Sequence, residues 1–208
     1  MSLIRKRTQI GVLFSYISYM KTLGIDPSIN STGVCLRSSP EGLPIYTLIP
    51  SKPTKKLLSI SHPRLTVAPY AKESASSKSA PYSDKELYKI HNILHICDII
   101  HEILVETCPD RIIMEGISYG STGSAALADL AGLNFCLRQE ILRTLPEAGL
   151  VIASPMSVKM QAVGSGAATK DVMIDGWKMV DPIAQELPGI KIDDLADAYF
   201  LASYDKDL

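Results

Sequence analysis

The sequence is short of the features that most often reveal a function. Its four cysteines, Cys35, Cys97, Cys108 and Cys136, are widely spaced and form no C-x-x-C pair. That excludes a disulfide framework and a zinc ribbon, and fits reduced thiols. No apolar run approaches the roughly 20 residues that cross a bilayer. The longest, Ile10 to Met20, has 11 residues and is broken by serines. It follows Arg5-Lys6-Arg7, an order similar to a secretory leader, but no small-residue cleavage site precedes the strand expected at Thr22. Residues 1–19 are therefore expected to be an extension, with Met20 as an alternative start and the cytoplasm as the compartment. Neither a P-loop nor a dinucleotide fingerprint is present; Gly164-Ser-Gly166 is too short for either.

What is present is an ordinary globular composition. The chain has 208 residues, 46% hydrophobic and 21% charged, which suits one domain with modest additions and excludes a disordered or collagen-like chain. The formal net charge is −1, so the basic excess usual in nucleic-acid-binding proteins is missing. The total hides a split. Met1 to Ala80 holds 11 basic and 3 acidic residues, whereas Pro81 to Leu208 holds 10 basic and 19 acidic. This points to a polyanion-facing surface in one part and a carboxylate-rich site in the other; chance placement of solvated charge is the alternative.

Five strands are expected: Thr22 to Asp26, Gly33 to Arg37, Ile45 to Ile49, Arg111 to Glu115 and Leu150 to Ser154. Pro27-Ser-Ile-Asn-Ser-Thr has turn chemistry, so the first two strands read as a hairpin. The stretch 51–83 carries eight serines, four prolines, and six basic residues against one acid, and reads as a looped insertion. Helices are expected over Asp84 to Thr107, Ser124 to Leu145, a short segment after Pro155, Thr169 to Val180, and Asp193 to Tyr204. On the first helix Leu87, Ile90, Leu94, Cys97 and Leu104 recur at helical spacing as its buried face. Strands come first and then alternate with helices, which predicts an α/β fold: a mixed five-stranded sheet flanked by helices.

Four carboxylates stand out. Asp26 and Glu115 each end an apolar strand, and Asp194 and Asp197 lie at i and i+3 on one helix face. Gathered at one point, such acids resist ionisation unless a cation offsets them. Hard divalent ions such as Mg²⁺ prefer carboxylate oxygens. A pair of them can clamp the attacking and leaving oxygens of a phosphodiester. The plainer reading is an Asp in a turn and acids complementing a helix start, with Asp193 as the cap. His91 and His95, at i and i+4, are spaced like a zinc pair but have no third ligand in sight and read as a solvated face.

These acids sit in three stretches that together resemble a known family. Leu23-Gly-Ile-Asp-Pro-Ser-Ile-Asn-Ser-Thr-Gly33 resembles the opening motif of RuvC-type Holliday junction resolvases. Ile112-Ile-Met-Glu115 resembles their second acidic strand, and Asp194-Leu-Ala-Asp-Ala-Tyr-Phe-Leu-Ala202 their terminal helix. The order agrees over about Met20 to Ser203. The resemblance implies an RNase H-like nuclease domain over 20–208, a homodimer, and Mg²⁺-dependent paired nicking of a four-way DNA junction. It implies that Asp26, Glu115, Asp194 and Asp197 hold two Mg²⁺ ions, for which Mn²⁺ can substitute. Leu127 to Leu133 is similar to a family segment that helps build the dimer, although close packing within one subunit accounts for it equally well. Lys159, and Gly164 to Lys170 with Ser165, resemble the basic segment that contacts DNA, with Lys170 at the scissile phosphate. Tyr119 stands where the family places an aromatic at the junction crossover. The insertion departs from the compact pattern of the family, and Lys52, Lys55, Lys56 and Arg64 are its candidate phosphate contacts.

Two other readings stay open. One is a broader branched-DNA nuclease acting on forks and flaps. The other belongs to a different class: an actin-like ATP-binding protein, which would need a second phosphate loop and an adenosine motif, or a catalytically silent DNA-binding protein.

Overall fold

The computed structural model describes residues 20–39, 42–68, 79–117, 124–187 and 193–205. Six strands form one mixed sheet in the order β4-β3-β2-β1-β5-β6. They are β1 (Thr22–Asp26), β2 (Ser31–Arg37), β3 (Ile45–Pro50), β4 (Leu65–Val67), β5 (Arg111–Glu115) and β6 (Gly149–Ala153). The first three form an antiparallel meander, while β5 runs parallel to β1, β6 to β5 and β4 to β3. The β1–β2 turn is shaped by Thr32, whose Oγ1 donates to the Ser28 carbonyl at 2.8 Å and accepts from its N–H at 3.2 Å.

The sheet exceeds the expected five strands because the insertion contributes β4. Three residues are too few to give a periodic signal, so Leu65-Thr-Val67 was indistinguishable from loop in the sequence. The insertion also forms α1 (Lys55–Leu58), whose Thr54 Oγ1 accepts the Leu57 N–H at 3.1 Å and which buries Leu57. Arg64, expected to face DNA, is used to anchor this edge. Its guanidinium forks onto Asp181 at 2.8 and 3.2 Å. Asp181, only 1% exposed, also accepts from the Tyr46 hydroxyl at 2.6 Å and the Ile183 N–H at 3.1 Å. Trp177 Nε1 donates to that hydroxyl at 3.0 Å. A buried carboxylate demands such partners, and Arg64 is the charged one.

Helices cover both faces. On one lie α2 (Tyr82–Thr107) and α3 (Ser124–Thr144); on the other lie α4 (Pro155–Val163), α5 (Lys170–Val180), the short α6 (Ile183–Glu186) and α7 (Asp193–Ala202). Ser154 caps α4 by accepting the Ser157 N–H at 3.1 Å, with Pro155 opening the helix. On α2 the buried residues are Ile96, Cys97, Ile99, Ile100 and Leu104 with Asn92, which donates to the Ile29 carbonyl at 3.1 Å. Cys97 and Leu104 thus take the expected place. Leu87, Ile90 and Leu94 do not; they are 52%, 50% and 52% exposed. The helix is apolar on two sides, and a repeat read from sequence cannot tell which side meets the sheet.

Strand periodicity sorts the site. Leu23 and Ile25 of β1, and Ile112 and Met114 of β5, pack toward α2 and α3. Side chains alternate along a strand, so Gly24, Asp26 and Glu115 face α7 instead. Gly24 is what lets α7 lie there. A Cβ on it would stand 2.2 Å from the Ala198 carbonyl oxygen and 2.4 Å from the Ala202 nitrogen. Gly24→Ala is therefore expected to force α7 off β1 and destabilise the protein by about 1–3 kcal/mol, the usual cost of overpacking. Urea unfolding measures it, and an unchanged midpoint would show that the contact yields freely.

Candidate active site

Because β1 and β5 are parallel neighbours, their carboxyl ends lie side by side. Ile25 pairs with Met114, and the next residues are Asp26 and Glu115. The Asp26 carboxyl feels the charge of Glu115 there. Across the hairpin Asp26 is paired with Gly33. The start of α7 rests on that glycine: a Cβ there would stand 2.1 Å from the Asp194 carbonyl oxygen. Asp197 follows at i+3, on the same face of the helix as Asp194. Three elements thus bring the four expected acids to one end of the sheet.

Asp26 is 8% exposed. Burial, then the charges of Glu115, Asp197 and Asp194, hold its carboxyl well above the usual range. Burial and Asp197 push Glu115 up to about 7. Burial pushes Asp197 up to about 6, with Lys170 opposing and Asp194 and Asp193 adding to the rise. Desolvation and like charge act together here, and both disfavour the ionised carboxyls.

The expected cations divide into three groups. Lys170 opens α5 beside the acids, and its Nζ is paired with the Asp193 carboxylate, a bond that raises its pKa. Lys159 donates to the Ala168 carbonyl at 3.0 Å, and its charge is felt by Glu115 and Asp197. Ser165 is exposed in the turn after Gly164. Lys52, Lys55 and Lys56 are exposed just past Pro50, which pairs with Ser31, so they follow the strand end nearest the acids. Arg64 precedes β4 at the opposite end and is held by Asp181. Tyr119 and residues 1–19 lie outside the described residues.

Asp193 is the residue whose role the sequence reading missed. It was expected to cap α7; instead it lies inside the first turn and pairs with Lys170. The available signal was Lys170 itself, a cation at a helix start, where the dipole disfavours it and a counter-ion is required.

The donor set is chemically suited to a hard divalent ion: carboxylate oxygens only, raised by burial and mutual repulsion. Among the described residues no group of three or more His, Cys, Asp or Glu side chains is arranged to hold a metal ion. Mg²⁺ asks for less than that, since it binds through one or two carboxylates and keeps several waters.

The raised carboxyls have a consequence for stability. A carboxyl raised on folding contributes stability that is fully present below its unfolded pKa and is lost as pH rises through its folded value. For Glu115 and Asp197 the loss runs from the ordinary carboxylate range up through about 7 and about 6. The metal-free protein is expected to lose thermal stability between pH 5 and pH 8, by more than a Glu115→Gln variant does. Calorimetric melting across that range checks it. Equal slopes for the two proteins would mean that the group does not oppose folding.

No protein-family model matches the chain, and no curated protein matches it in sequence. Solved structures do. The chain is similar to Thermus thermophilus RuvC at 17% identity and a TM-score of 0.52, over 88% of this chain and 91% of that one. T. thermophilus RuvC in complex with a Holliday junction substrate is similar at 14% identity and a TM-score of 0.54, over 88% and 90%. With its mixed sheet flanked by helices on both faces, the chain has the RNase H-like α/β fold of RuvC.

Proposed function

We propose that the protein is a metal-dependent endonuclease that resolves four-way DNA junctions by paired nicks. The observation that carries this is the meeting of Asp26, Glu115, Asp194 and Asp197 at one sheet end, on a fold shared with a RuvC that was solved on a Holliday junction. Asp26, Glu115, Asp194 and Asp197 would hold two Mg²⁺ ions, with Mn²⁺ able to substitute. Bound there, the ions supply Lewis-acid polarisation of the phosphodiester and offset its charge. Lys170 and Lys159 bring positive charge to the phosphate being cut. Ser165, exposed after Gly164, would contact the same strand, and Tyr119 is a further proposed DNA contact on the family resemblance. Lys52, Lys55 and Lys56 track neighbouring phosphates, a contribution that salt weakens.

The four acids also explain why cations are needed at all. Unneutralised, they would repel a phosphate, and buried like charge is too costly to retain without use. A catalytically silent DNA-binding protein has no such need. A junction nuclease needs two sites facing two strands, hence a homodimer. Leu87, Ile90 and Leu94, exposed on α2, and Phe135, exposed on α3, would contribute apolar area to it. The domain would span 20–208, preceded by an extension over 1–19. Among the described residues no helix is long and apolar enough to cross a membrane; action in the cytoplasm is part of the proposal.

The purified protein, given a synthetic four-way junction, a fork and a linear duplex, is expected to nick the junction symmetrically in Mg²⁺ and none of them in EDTA. Asp26→Asn should lower the rate by at least about a thousandfold, as loss of a group acting on transition-state charge does. Full activity in that variant would sink the proposal. Equal cutting of the fork would favour the broader branched-DNA nuclease instead.

Ile90→Asp is expected to convert a dimer to monomers in sedimentation and to turn paired nicks into single ones. A wild-type protein that sediments as a monomer with junction DNA present would remove the dimer from the scheme.

A further inference from the structure

The Lys170–Asp193 pair has a geometry that the proposed chemistry does not by itself require. Lys170 opens α5, and its long side chain is largely exposed, while Asp193, in the first turn of α7, is largely buried. The ammonium acts on two sets of anionic groups. One is Asp193. The other is the group formed by Asp26, Glu115 and Asp197, each of which feels its charge. The bond goes to Asp193.

We propose that Asp193 is a positioning residue that tethers the Lys170 ammonium at the rim of the carboxylate group, keeping it off the oxygens meant for divalent ions while leaving it beside the incoming phosphate. An ammonium is a compact point charge with three donors, so it would compete directly for carboxylate oxygens if released. Asp193 is the immediate neighbour of Asp194 in α7, so the tether is fixed to the same rigid helix turn as the ligands it protects. The inference rests on the divalent-ion reading of the site and adds to it a division of labour: three acids of α7, two for metal and one for the lysine.

The test uses the full-length chain without DNA and Ca²⁺ as the probe, titrated by calorimetry. Asp193→Asn should weaken Ca²⁺ binding by about tenfold, the scale of coupling between interacting neighbours. Asp193→Glu should restore most of it. In a Lys170→Gln background the further change Asp193→Asn should have no effect, because no ammonium remains to be released. Additive losses, or Asp193→Asn binding as tightly as wild type, overturn the tether. A wild type that binds no Ca²⁺ overturns the divalent-ion reading itself, and the tether with it. Should Asp193→Asn fail to fold, the wild type alone decides. The hydrogen-bonded Lys170 ammonium signal in nitrogen NMR must persist at Ca²⁺ saturation. Its loss would place the lysine on the metal ligands at the outset.

Discussion

The structure hinges on the contact of α7 with β1 and β2, backbone against backbone. Gly24 and Gly33 leave the helix room to lie against the strands, and a methyl on either would overlap the helix main chain. Alanines at 196, 198 and 202, all buried, keep the helix face correspondingly thin. Such closeness allows little sliding or rolling, since packed interiors resist small displacements. Two acids on α7 are thereby fixed against two acids at strand ends. Neither Gly24 nor Gly33 touches chemistry, yet both decide where the chemistry can be.

This contact explains what could be read in the sequence. Strand β1 was legible because its apolar run ends in turn residues, and Asp26 was legible because it ends that strand. The spacing of Asp194 and Asp197 placed both on one helix face. All of that is local. That Gly24 faces α7 rather than α2 follows from alternation only once the sheet order is known. Arg64 has a structural role that its sequence context does not show. In sequence it is one more cation in a basic, serine-rich stretch, and only the fold reveals that Asp181, far along the chain, takes both arms of its guanidinium. Leu87, Ile90 and Leu94 failed for a related reason: helical spacing reports a common side, not what covers it. Asp193 was read through the local rule for helix starts, while its partner lay on another helix.

The electrostatics of the site set stability against function. Asp26, Glu115 and Asp197 are raised by burial and by each other, so ionising them works against the fold. A protein selected for stability alone would replace them with amides or apolar residues of similar size. The counter-charges nearby, Lys170 and Lys159, oppose the shifts without cancelling them. Lys170 is engaged by Asp193 and Lys159 by the Ala168 carbonyl, so neither closes onto the acids as a permanent salt bridge. The carboxyls are left raised, and under the proposed function divalent ions would supply the charge that the lysines do not.

The near-zero net charge of the whole chain follows from the same arrangement. The basic excess of the first 80 residues and the acidic excess of the rest cancel in the sum over the chain. Lys52, Lys55 and Lys56 stand exposed past the end of β3, while the acids are sunk between β1, β5 and α7. A polyanion approaching this end meets positive charge on the surface and negative charge beneath it. Surface lysines act at the range of a Debye length, roughly 8–10 Å, whereas the acids act on whatever reaches them. Under the proposed function the first interaction would gather a phosphate backbone without regard to sequence. The second would admit one phosphate only when cations come with it. Attraction and selectivity would then be separated by depth, which a sum of charges over the chain cannot express.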